Sequence, residues 1–146
     1  MSIWVGIIVL FFDQLTKYLV RLSLYQGQSV VLIPHLLYLT YIKNPGISFG
    51  LFKGKIPLLF YLVLSLLAIG MLIFFLRRAR RNRAQRIATG LITGGILGNL
   101  IDRVRFGAVI DFLDFRVWPI FNLADSGITI GIIILLIHEI KNSATS

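Results

Sequence analysis

Acidic residues are rare in this chain, and three of the six lie in one stretch, DFLDFRVWPIFNLAD, from Asp111 to Asp125. The stretch sits between two segments apolar enough to cross a membrane, and Asp125 falls inside the start of the second. An unpaired charge at membrane depth is expensive, so an acid there marks a candidate site. Two carboxylates held close together cannot both ionise easily, and they titrate as a pair. One can then take a proton from water while the other gives one to a carbonyl oxygen. That is acid–base chemistry of the aspartic-protease kind. Asp125 is one candidate member. On residue pattern alone the other is Asp111 or Asp114, one turn further on.

Other nucleophiles are scarce. The chain has no cysteine, which excludes disulfides, thiol catalysis and thiolate metal sites. His35 and His138 lie far apart in sequence, neither falls within the acidic stretch, and both read as structural or interfacial. No serine–lysine dyad is evident.

The elements that must position these acids are membrane helices. Hydrophobic residues make up 57% of the 146 and charged residues 14%, against about 45–50% and 25% in a soluble domain. A chain this small cannot hide that much apolar surface, so the expectation is a single integral membrane domain over 1–146. Its spans are expected at about 3–24, 57–76, 84–104 and 121–140. The first is read as a retained span, because it holds Asp13 and Lys17 and lacks a basic start and a small-residue cleavage site. The expected class is an all-α membrane protein, four transmembrane helices with a small extracytoplasmic sheet between the first two. The sheet is expected within about 25–56, where VVLIPHLLYLTYI is β-branched and aromatic and NPGISFG has turn chemistry.

The net charge of +9 does not point to nucleic acid. Arg77, Arg78, Arg80, Arg81, Arg83 and Arg86 form one run between apolar segments. A basic loop between spans stays in the cytoplasm and meets anionic lipid, so 77–86 is expected there, with both termini. That orientation brings Asp13, Lys17, Asn99, Asp102, Arg103, Asp111, Asp114, Asn122 and Asp125 to the outer face, so that of the six acids only Glu139 lies at the other.

Local spacing assigns further roles. Asp13 and Lys17 are four residues apart and can pair on one helical face. Gly90, Gly94 and Gly98 repeat at the spacing that lets two membrane helices approach closely. Asn122 can cap the last span, with Asp125 in its first turn. Asn44 either starts a turn before Pro45 or reaches inward.

Five blocks, DQLTK at 13–17, NPGISFG at 44–50, GGILGNLIDR at 94–103, VIDF at 109–112 and FNLAD at 121–125, together resemble bacterial lipoprotein signal peptidase, signal peptidase II. The resemblance implies an aspartic endopeptidase of the inner membrane, acting near the outer leaflet on prolipoproteins whose cysteine carries a diacylglyceryl group, and cutting just before that cysteine. It assigns catalysis to Asp111 and Asp125, favouring Asp111 over Asp114, which becomes a solvated or loop-ordering acid. It assigns support or substrate binding to Asp13, Lys17, Asn44, Asn99, Asp102, Arg103 and Asn122, with Arg103 orienting Asp102 or a substrate carbonyl. It implies no cofactor, no metal and a monomer in contact with membrane lipid. Pro45 and Ser48 depart from the commonest family pattern. Without the resemblance two rivals stand: a metal-dependent membrane lipid transferase with Asp111, Asp114 and Asp125 around a cation, and a small proton-linked transporter.

Overall fold

The computed structural model describes residues 2–45, 66, 70 and 82–143. Apart from residues 66 and 70, the expected span at 57–76 lies outside the described residues, as do residues 77–81 of the arginine run and NPGISFG beyond Pro45.

Helix α1, Ser2–Ser23, opens the chain. A hairpin follows, β1 (Ser29–Ile33) and β2 (Leu37–Asn44), turning at Pro34–Leu36 with His35 left-handed at φ 62°. Helix α2 is Arg83–Phe106, strand β3 is Val109–Asp114, and helix α3 is Leu123–Ser143. By length and composition α1 and α3 are each able to cross a membrane.

Helix α2 has clear ends. Asn82 and Gln85 form a reciprocal capping box, each side chain accepting from the other's backbone N–H. At the other end Gly107 takes a left-handed φ of 68° and returns its N–H to the Arg103 carbonyl. Only glycine adopts that conformation without strain.

In the bundle the usual pattern is inverted. Large apolar side chains such as Ile7, Phe11, Leu19, Ile133 and Ile137 face outward. Apart from Ile92, the buried face of α2 is small or polar, with Ala88, Gly90, Gly94, Gly95, Gly98, Asn99 and Asp102 among its residues. Lipid tails solvate leucine as well as a protein core does, so close packing and polar contacts hold such helices together. A methyl on Gly94 would stand 2.5 Å from the Gly6 carbonyl oxygen and 3.0 Å from its Cα, both backbone of α1. Gly94→Ala must therefore push α1 away. We expect a loss of about 1–3 kcal/mol, read as a lower midpoint of thermal unfolding in detergent. An unchanged midpoint would contradict this packing.

The sheet is antiparallel with order β1-β2-β3. Ile42 pairs with Asp111 and Asn44 with Val109, and the register is irregular between Leu39 and Ile42. Here the structure corrects the expectation. The sheet is not confined to the segment after α1, because its third strand comes from the segment between α2 and α3. Phe121 is likewise not helical. It bridges to Leu113 and extends the sheet before α3 begins. A small apolar core of Val20, Leu24, Tyr41, Ile110 and Phe112 fastens the end of α1 to β2 and β3.

Candidate active site

Strand β3 carries Asp111 and the first turn of α3 carries Asp125, so the two acids come from a strand and a helix, not from two helices. Asp111 is 2% exposed and Asp125 is half-buried. Both line one cavity of about 1490 Å³.

Two asparagines join them. Asn122 Nδ2 donates to Asp111 Oδ1 at 2.7 Å, and Asn99 Nδ2 donates to Asp125 Oδ1 at 2.7 Å. Asn122 Nδ2 also reaches Asn99 Oδ1 at 3.2 Å. The orientation of each amide is chemically forced. Lys17 Nζ can only donate, and it meets Asn99 Oδ1 at 2.9 Å, so the Asn99 NH₂ faces Asp125. The Asp125 backbone N–H meets Asn122 Oδ1 at 2.9 Å, which caps α3 and turns the Asn122 NH₂ to Asp111. From the other side Asn44 Nδ2 donates to Asp111 Oδ2 at 2.9 Å. Asn44 thus ends β2 and reaches inward.

Beneath the asparagines lies a buried ion cluster. Lys17 Nζ sits 2.8 Å from Asp13 Oδ2 and 2.8 Å from Asp102 Oδ2, so with Asn99 its three donors are all used. Asp13 Oδ1 accepts the Ala124 N–H, and Asp102 Oδ2 accepts the Ile110 N–H. The cluster therefore ties α1 and α2 to the backbone beside both site acids. Gln14 was not singled out in the sequence, yet its Nε2 reaches Asp102 Oδ1 at 3.0 Å, the Gly98 carbonyl at 3.1 Å and Asp13 Oδ2 at 3.2 Å. Its place inside DQLTK, beside the ion pair, was the available signal. Among the described residues no buried side-chain N or O lacks a hydrogen-bond partner.

Burial pushes the Asp111 carboxyl up to about 7, and the charge on Asp125 pushes the same way. The hydrogen bonds from Asn44 and Asn122 and the charge on Lys17 oppose this without cancelling it.

Two expectations change. Asp114 is not solvated; it is 4% exposed. It accepts from Thr40 Oγ1 at 2.8 Å and from the Arg116 N–H at 2.8 Å, which leaves its loop-ordering role intact. Asp102 is held by Lys17, Gln14 and Ile110, while Arg103 Nη1 reaches back to the Asn99 carbonyl at 3.5 Å. Among the described residues no three His, Cys, Asp or Glu side chains are arranged to hold a metal ion.

Residues 5–141 match the family model for signal peptidase (SPase) II. The chain is similar to the lipoprotein signal peptidase of Halothermothrix orenii, at 42% identity over 92% of this chain and 91% of that one. It is similar to that of Pelotomaculum thermopropionicum at 45% identity over 88% and 84%. It is also similar to that of Staphylococcus aureus at 37% over 98% and 90%. A bacterial membrane enzyme solved by the in meso method superposes with a TM-score of 0.91 at 35% identity, covering 99% of this chain and 90% of that one.

Proposed function

The chain belongs to the signal peptidase II family, and from that premise we propose how its site removes the signal peptide from a lipoprotein precursor. The peptidase is an aspartic enzyme of the bacterial inner membrane. Asp111 and Asp125 are its dyad, and the substrate is cut before a cysteine already carrying a diacylglyceryl group.

One observation carries the reading: two carboxylates lining one cavity, each held by an asparagine amide whose orientation is fixed from behind. Asp111, buried and displaced upward, keeps its proton and serves as the acid; Asp125, closer to solvent, serves as the base. Asp125 takes a proton from water as the water oxygen bonds to the scissile carbonyl carbon. The Asp111 proton passes to the carbonyl oxygen, giving a neutral tetrahedral diol. Asp125 then returns its proton to the departing amide nitrogen, the C–N bond breaks, and a diol hydroxyl restores the proton of Asp111. The products are a carboxylic acid and an amine, and both acids regain their starting states.

The cavity suits such a substrate. Its volume exceeds the roughly 300–1,000 Å³ typical of small-molecule pockets. Ile42, Phe115, Trp118, Ile120, Phe121 and Ile128 supply apolar walls for acyl chains and an apolar signal segment. Four spans with both termini cytoplasmic put the dyad at the outer leaflet. The basic run at 77–86 and the apolar 57–76 segment support that orientation. In this reading Asn44 and Arg103 also contact the substrate backbone, and the protein acts as a monomer.

A pH dependence follows. The rate should fall as pH rises above about 7, because Asp111 then loses the proton it donates. A profile of kcat/KM from pH 5 to 9 checks this, and a rate still climbing past pH 8 would contradict it. Stability has the same sign. The unfolded chain gives up this proton near the ordinary value of 3.8, the folded chain near 7, so between those values the unfolded state binds fewer protons. This group's contribution is therefore fully present below about 4 and is lost as pH rises through 7.

A further inference from the structure

Away from the dyad, the outer end of the sheet holds a closed ring of polar contacts that the mechanism does not use. Its direction can be deduced. A carboxylate only accepts, so Thr40 Oγ1 donates its proton to Asp114 Oδ2 at 2.8 Å. Thr40 Oγ1 must then accept from Ser29 Oγ at 2.7 Å. Ser29 Oγ in turn accepts from Arg116 Nη2 at 2.7 Å. Arg116 Nε returns to Asp114 Oδ2 at 3.5 Å, and the Arg116 backbone N–H donates to Asp114 Oδ1 at 2.8 Å. The guanidinium also lies 3.9 Å over the Tyr38 ring. One arginine thus touches β1, β2 and β3 together.

Arg116 does this from a left-handed backbone, φ 65°. An arginine holds that conformation only when its surroundings over-determine it. It stands at the start of the segment that lines the cavity with Trp118, Pro119 and Ile120. The far end of that segment is fixed separately, by the Leu113–Phe121 backbone pairing and by Phe115 stacked on Phe121 at 5.9 Å.

We propose that Arg116 is a positioning residue for this cavity wall: it clamps the 115–121 segment to all three strands and thereby shapes the surface that receives the substrate's apolar portion. The proposal rests on the peptidase reading for what the cavity receives. Arg116 touches neither dyad acid through any of these contacts, so its loss should act on binding before it acts on chemistry.

Arg116→Gly is the informative variant, because glycine keeps the left-handed backbone and removes only the clamp. With a lipid-modified prolipoprotein, KM should rise about tenfold while kcat stays within about twofold. Hydrogen exchange at 115–121 in the substrate-free full-length protein should quicken. Arg116→Lys, which keeps the charge but not the fork, should fall between. Should Arg116→Gly fail to fold, Ser29→Ala opens the same ring at an exposed position and should raise KM in the same direction. Unchanged KM, or kcat falling with KM held, would overturn the proposal, as would unchanged exchange. If the wild type itself does not cut the substrate, the peptidase reading fails, and the exchange comparison still decides the clamp.

Discussion

Lys17→Met should leave a protein that is hard to recover folded. The lysine is 2% exposed, and its ammonium is shared by Asp13 and Asp102 at 0% and 1% exposure. Methionine fills similar space but leaves two buried carboxylates with no cation between them. Breaking a buried ion pair by removing one partner costs about 3–5 kcal/mol, a large fraction of the roughly 5–15 kcal/mol that holds a domain folded. The damage extends to the site, because Asn99 loses the donor that turns its NH₂ toward Asp125. Thermal unfolding in detergent checks the first effect and cleavage the second. Adding Asp13→Asn and Asp102→Asn to Lys17→Met removes the uncompensated charges and should restore much of the unfolding midpoint without restoring activity. A Lys17→Met protein that melts within a few degrees of wild type would show that the cluster contributes little.

Asp111→Asn and Asp125→Asn should have the opposite profile, a folded protein with no catalysis. Either change removes one partner in proton transfer, a loss of at least about 10³-fold in rate. Stability should move little. At position 111 the amide must turn one NH₂ toward a donor on Asn44 or Asn122, which costs a hydrogen bond, but a buried carboxylate no longer has to be kept from water. The two effects oppose each other and the net should lie within about 2 kcal/mol. At position 125 the amide oxygen can still accept from Asn99. Asp114→Asn gives the contrast. That acid belongs to the Arg116 ring on the sheet, so its loss should leave kcat largely intact.

Much of this arrangement can be read along the chain, and what cannot has a physical reason. The Asp13–Lys17 pair follows from helical spacing, whereas the third member of the cluster, Asp102, comes from another helix. The glycine repeat foretells the tight approach of α2 to α1, because a methyl at Gly90 or Gly94 would stand 2.5 Å from an α1 backbone carbonyl oxygen. Asn122 announces itself as a cap. That it also holds Asp111 with its other amide end is invisible locally, since Asp111 arrives from a separate element. Strand β3 is the main omission. VIDFLD lies between two helices and reads as a loop, because the strand that pairs with it ends sixty-seven residues before Asp111 at Asn44. Pairing of that range leaves no local periodicity. The same omission left Asp111 and Asp114 equivalent on a presumed helical turn. In a strand, side chains alternate between faces. An odd separation of three sends Asp111 to the asparagines and Asp114 to Thr40 and Arg116. Gln14 carries no charge to mark it in the sequence, although it joins both acids of the lysine cluster.

The central claim is that Asp111 and Asp125 together activate one water. Its most direct test is cleavage of a diacylglyceryl-modified prolipoprotein by purified wild type, Asp111→Asn and Asp125→Asn proteins, each first shown to unfold at a comparable temperature. The predicted result is cleavage by wild type alone. Cleavage by either folded variant at a rate near wild type would contradict the dyad.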